Sequence, residues 1–193
     1  MKTKHLMAAM VSALALSTSA SAGFFDFTLA PFVGAGIGKS QIDITCPALT
    51  SCDDKDTAYK LYGGLEMNEF ISMEVGYVNL GEARVTGVPF GTVSYHGMTM
   101  QILGTYAINP SVTLLVRGGM NILNTEVNGT IAGATRNSGD TDVAWSAGLG
   151  GQYNLTKSVG LRMEWERFFK VGDATTTGEA DVDMISAGLV YKF

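Results

Sequence analysis

The chain lacks any uncharged apolar run of transmembrane-helix length after residue 22. A helical span needs about 20 such residues, so a helical crossing of a membrane is excluded for the rest of the chain. Basic residues are few, 13 Lys and Arg against 18 Asp and Glu, and they form no stripe. That balance argues against nucleic acid as a partner. Cysteine is scarce too. Cys46 and Cys52 stand together in "CPALTSC", which in an exported chain reads as a disulfide closing one small loop. Metal is the weaker reading of the pair, because His96 is the sole histidine after residue 22 and lies far along the chain. No metal, cofactor or catalytic constellation stands out elsewhere, since interior carboxylates without His or Cys are weak evidence for one.

What is present begins at the first residue. Lys2 and Lys4 precede the run "LMAAMVSALAL", which ends at Ala20-Ser21-Ala22. A basic start, a short apolar run and a small-x-small site describe a cleaved secretory signal peptide over 1–22. No cysteine near that site offers a lipid anchor. Residues 23–193 then form one domain with 11 basic against 18 acidic side chains, a net charge of −7.

Along this domain apolar residues recur at every second position, with breaks at turn residues. Eight segments show the pattern: 27–39, 58–67, 70–80, 97–108, 112–123, 143–155, 159–169 and about 183–193. Short connections (Asn68-Glu69, 109–111, 156–158) alternate with long ones (40–57, 81–96, 124–142, 170–182). Alternating segments of roughly ten residues with short turns and long loops are the signature of an outer-membrane barrel.

Two-residue periodicity alone does not tell a soluble barrel from a membrane one. The polar face decides. It carries Lys60, Glu66, Glu74, Arg117, Arg162, Glu164 and Glu166, and that many charges cannot form the dry core of a small soluble barrel. The opposite face is apolar through the middle of each strand, so its solvent is lipid. Closure follows, because open strand edges would leave backbone groups unsatisfied in hydrocarbon. The fold class is therefore all-β, an eight-stranded antiparallel up-and-down transmembrane β-barrel. Tyr106, Trp145, Tyr153, Trp165, Tyr191 and Phe193 fall on the lipid phase and form its aromatic belt.

The stretches "EVGYVNLGEA" (74–83), "RGGMNI" (117–122), "AGLGGQYNLT" (147–156), "LRMEWE" (161–166) and "SAGLVYKF" (186–193) resemble the transmembrane domain of the OmpA family. The resemblance covers most of residues 23–193 and implies a multi-pass protein of the bacterial outer membrane. The peptidoglycan-binding periplasmic domain of longer family members has no counterpart in these residues. By resemblance the lumen is plugged and crossed by salt bridges, with Glu74 and Arg162 at the positions of the family's gate pair. Glu66, Arg117, Glu164 and Glu166 would extend that network, while Leu103 and Gln152 occupy positions where a second charged pair is expected. The alternative for Glu74 and Arg162 is a purely structural brace, since paired buried charges are more often structural than gating. The resemblance also makes Phe193 the signal read by the outer-membrane assembly machinery.

Three functions follow as expectations. The first is a barrel that serves envelope integrity and uses its long loops for recognition or adhesion, with lipid, lipopolysaccharide and a surface ligand as partners. The second is a small pore gated at Glu74 and Arg162. The third, weakest, is a lipid-A-modifying enzyme built on His96 with Ser94 and Glu82; a lone His near a loop is more often a solvated rim residue. Arg167, on the lipid phase near the outer rim, is placed to meet lipopolysaccharide phosphates or to snorkel into the interface.

Overall fold

A computed structural model describes residues 29–43, 51–86, 90–131, 134–172 and 179–193. The expected signal peptide and Cys46 lie outside these residues. The strands are β1 (Ala30–Ile42), β2 (Ser51–Asp53), β3 (Lys55–Glu66), β4 (Ile71–Thr86), β5 (Phe90–Asn109), β6 (Val112–Ile131), β7 (Ala134–Asn154), β8 (Val159–Val171) and β9 (Ala180–Lys192). The short β2 pairs with the top of β4, as β3 does lower down, so β2 and β3 form one wall interrupted at Asp54. Eight antiparallel walls result. They close because β1 pairs with β9 and β4 with β5.

The register fixes the barrel's geometry. Starting at Phe32, cross-strand partners run through Gly64, Glu74, Gln101, Gly119, Ser146, Phe168 and Val182. The path returns to β1 at Ile42, ten residues beyond its start. Eight strands with this stagger leave an interior just wide enough for side chains to fill.

Each short turn is tied by a side chain in the same way. Asn68 Oδ1 accepts hydrogen bonds from the amides of Phe70 and Ile71, and Asn109 Oδ1 from those of Ser111 and Val112. Thr156 Oγ1 does the same for Ser158 and Val159. Such side chains mimic a backbone turn and allow very short connections.

The lipid-facing wall is apolar and exposed, as at Ile37 (63%), Leu61 (63%), Val116 (62%) and Ile185 (62%). Its outer limit is a row of cross-strand partners, Tyr59, Asn79, His96, Asn124 and Thr141. The row one step below is Leu61, Tyr77, Met98, Ile122 and Val143. Polar side chains thus replace apolar ones between adjacent rows, where hydrocarbon gives way to headgroups.

Above that row the strands continue further than the alternation indicates. β4 reaches Thr86, β5 begins at Phe90, β6 ends at Ile131 and β7 begins at Ala134. Most of the expected connections 81–96 and 124–142 are strand. The outward face there meets water and carries polar residues, so no apolar phase toward lipid marks the strand. The ladder itself holds it, with pairing between β6 and β7 unbroken from Val112↔Tyr153 to Ile131↔Ala134.

The interior is also less uniformly polar than expected. Ile42, Ala58, Val78, Leu80, Ala83, Tyr95, Leu123, Ala144, Phe168, Val171, Ala180, Val182 and Met184 form a buried apolar cluster in its outer half. A smaller group of Phe32, Tyr62 and Val190 lies toward the periplasmic end. Charged side chains occupy the level between them.

Candidate functional site

Inward positions on β3, β4, β6 and β8 place Lys60, Glu74, Arg117, Arg162, Glu164 and Glu166 at one level of the lumen, each 7% exposed or less. Arg117 is the hub. Its Nη2 donates to Glu74 Oε1 at 2.8 Å and its Nη1 to Glu164 Oε1 at 2.7 Å, while its Nε lies 3.4 Å from Glu166 Oε2. Arg162 Nη1 donates to the other oxygen of Glu74 at 2.9 Å. Lys60 Nζ pairs with Glu164 and stands 3.9 Å from Glu166. Three cations face three carboxylates, so the level is neutral. Pairing is what makes it tolerable, because an unpartnered charge at such depth is prohibitively costly.

Neighbours complete the network. Arg162 lies against the rings of Tyr62 (5.2 Å) and Phe32 (5.6 Å), and its Nε donates to Gln152 at 3.2 Å. Glu166 accepts a hydrogen bond from Ser146 Oγ at 3.0 Å. Gln101 Nε2 donates to Asn121 Oδ1 and Ser146 Oγ, both at 2.8 Å. Glycines make the room. A Cβ on Gly150 would sit 2.8 Å from Glu164 Cγ, and one on Gly148 would sit 3.1 Å from Arg117 Cγ. A cavity of about 10 Å³ bordered by Lys60, Glu74, Thr99, Arg117 and Glu166 has room for roughly one water.

The sequence candidates therefore divide. Glu74, Arg117, Arg162, Glu164 and Glu166 meet, whereas Glu66 stands apart at the periplasmic rim, 2.5 Å from Lys192. Lys60 also belongs to the network, beyond the residues the resemblance implies. The clue was its phase, in step with Tyr62 and Glu66 along β3. Gln152 sits beside Arg162, and Leu103 is an apolar wall residue opposite Arg117.

Of the belt residues, Tyr106, Tyr153, Tyr191 and Phe193 lie near the periplasmic turns, with Tyr191 and Phe193 edge to face at 5.1 Å. The Phe193 amide donates to Pro31 O at 3.1 Å. Trp145 and Trp165 sit higher, Trp145 opposite Phe169 and Trp165 donating from Nε1 to Asp183.

At the outer rim Arg167 lies 3.4 Å from Asp181 and 3.7 Å from Asp183, so its charge is balanced within the chain. His96, Ser94 and Glu82 share the outward face near the rim. His96 lies against Tyr77 and Glu82 pairs with Arg84, and among the described residues no hydrogen bond joins the three. Cys52 is on β2, and no cysteine among the described residues is free.

A bulge also marks this rim. Two residues, Leu80 and Gly81, oppose Tyr95 alone, and Gly81 has φ +78°. Asp56 clasps it, accepting from the Glu82 amide at 2.9 Å and the Thr57 amide at 2.7 Å. Partial desolvation pushes the Asp56 carboxyl up. The two amides and the charges of Arg84 and Lys39 outweigh it and hold the group below the usual range.

The family model described as "OmpA-like transmembrane domain" matches residues 30–193. Outer membrane protein A of Shigella flexneri is 26% identical over 98% of this chain, which covers 56% of that protein. The chain spans about half the length of the curated relatives it matches. Among solved structures, Neisserial surface protein A aligns with a TM-score of 0.64 at 14% identity, covering 84% of this chain and 97% of that one. Ail of Yersinia pestis, solved in complex with the heparin analogue sucrose octasulfate, aligns with a TM-score of 0.56 at 15% identity, covering 86% and 99%.

Proposed function

Because this chain belongs to the OmpA-like transmembrane domain family and crosses the outer membrane as an eight-stranded barrel, we propose that it works as a closed barrel. Its lumen braces the envelope and its outer strands and loops meet other surfaces. The observation that carries the closed lumen is the neutral network of Lys60, Arg117 and Arg162 with Glu74, Glu164 and Glu166, which spans four walls and leaves room for about one water. A filled interior puts the protein's contact with the outside at its rim. The expected loops carry Asp43, Asp53, Asp54 and Asp56 near the cysteines and further acids in 170–182. Their charge favours a cationic partner over a sulfated sugar of the kind present in the Ail complex. Phe193 serves the assembly machinery.

The test is a strain lacking the protein, complemented with the unaltered chain or with a form in which Asp43, Asp53, Asp54 and Asp173 are changed to Asn and Glu179 to Gln. Both forms should restore resistance to detergent, and only the unaltered chain should restore adhesion to a cationic surface. Equal adhesion by the two forms would remove the recognition role.

A small pore is the second reading. What favours it is the division of Glu74, one oxygen to Arg117 and one to Arg162, so that exchange of one partner would unlatch one side of the lumen.

A further inference from the structure

The apolar cluster of the outer lumen has an arrangement that the charge network lacks. It draws from every wall: Ile42 on β1, Ala58 on β3, Val78 and Leu80 on β4, Tyr95 on β5, Leu123 on β6, Ala144 on β7, Phe168 on β8, and Val182 and Met184 on β9. All are 2% exposed or less. Every wall also carries an inward polar or charged group below it, as Lys60 lies below Ala58, Glu74 below Val78, Thr99 below Tyr95 and Glu166 below Phe168. The network itself touches only four walls. We propose that the barrier to ions in this barrel is the apolar layer, and that the salt bridges beneath it are a brace rather than the gate. This rests on the closed-lumen reading and assigns the closure to particular side chains.

The physical argument compares the two levels. An ion that reaches the network meets carboxylates, guanidinium groups and hydroxyls able to replace part of its hydration shell. In the apolar layer such groups are few, the hydroxyls of Ser40, Tyr95 and Thr125, with that of Ser40 already donated to Leu80 O, and hydrophobic constrictions block ions by excluding water. Loss of one salt bridge rearranges charges below a seal that remains whole. Polar groups placed within the layer let water in and join the network to the outside. Leu123 and Phe168 stand directly above Asn121 and Glu166 on β6 and β8, so serine at both positions continues the polar column upward.

Single-channel recording in planar bilayers tests this, with the folded state of each sample shown by the mobility difference between unheated and boiled protein. The wild-type chain, Glu74→Gln and the conservative Phe168→Leu should all be silent. The double variant Leu123→Ser/Phe168→Ser should open in discrete steps that those three samples lack. Leu80→Ser/Met184→Ser makes the same change on β4 and β9 and decides the matter if the first pair does not fold. Steps in Glu74→Gln, or silence in a folded serine pair, overturn the proposal while the closed lumen stands. Steps in the wild-type chain overturn the closed lumen itself.

Discussion

Arg117 and Glu74 join β6 to β4 inside the barrel at 2.8 Å, and the other oxygen of Glu74 binds Arg162 of β8 at 2.9 Å. β4 and β8 are opposite walls. One carboxylate therefore ties together three strands that share no backbone ladder.

Removing the hub should cost more than removing either end. Arg117→Ala strands three buried glutamates with two cations, and breaking a buried pair in this way costs about 3–5 kcal/mol. Lys60→Ala leaves Arg117 touching all three carboxylates and should cost less. Urea midpoints of the folded form in detergent or lipid vesicles rank the two; a reversed order would deny Arg117 its central place.

Adjacent glycines should respond in opposite ways. A Cβ on Gly150 would meet Met163 O at 2.5 Å and Glu164 Cγ at 2.8 Å, whereas at Gly151 the nearest atom is Thr113 O at 3.8 Å. Gly150→Ala is expected to destabilise by about 1–3 kcal/mol through overpacking, and Gly151→Ala to be tolerated. Comparison of their thermal midpoints checks this, since both substitutions add the same methyl group.

Acid should loosen the Asp56 clasp. The folded carboxyl sits below its ordinary value, so its contribution is complete above the unfolded carboxylate range near pH 3.9 and is lost as pH falls through the lower folded value. The Glu82 amide shift in NMR spectra should titrate with a midpoint below that of an unperturbed aspartate. In Asp56→Asn the titration should vanish.

Cys46 and Cys52 are expected to be joined in protein taken from the oxidising periplasmic side. Thiol-labelling reagent should then modify neither until a reductant is added. Reduction should leave the unheated gel mobility unchanged, because the eight walls are held by their ladders and Cys52 lies on the three-residue β2 alone.

The barrel walls were legible because lipid imposes a strict two-residue rhythm. Leu61, Leu65, Ile102, Val116 and Met163 all fall on the lipid-facing side the alternation gives them, and the strand count and turn positions follow from the same rhythm. Where lipid ends, the signal ends. The upper halves of β5, β6 and β7 carry Ser94, Thr125, Asn128 and Asp142, residues that read as loop and are held as strand by their neighbours. The interior was half legible. Glu74, Arg117 and Glu164 stand out as charges on the inward phase, yet Val78 and Leu80 continue the phase of Glu74 as apolar residues. Which inward charges meet depends on the ten-residue stagger of the closed sheet, and no local pattern records it. Glu66 shares a phase with Lys60 but, as the last residue of β3, ends at the rim with Lys192.

The unequal strands give the protein a direction. β5, β6 and β7 run 20, 20 and 21 residues, while β1, β3, β8 and β9 run 12 or 13. Seven or more extra residues, at about 3.3 Å each and tilted, raise one side by roughly 20 Å. Among the described residues the β6–β7 pair stands highest, opposite β1 and β3 across the barrel, so rotation of the barrel about its own axis changes which strand edge rises toward an approaching body.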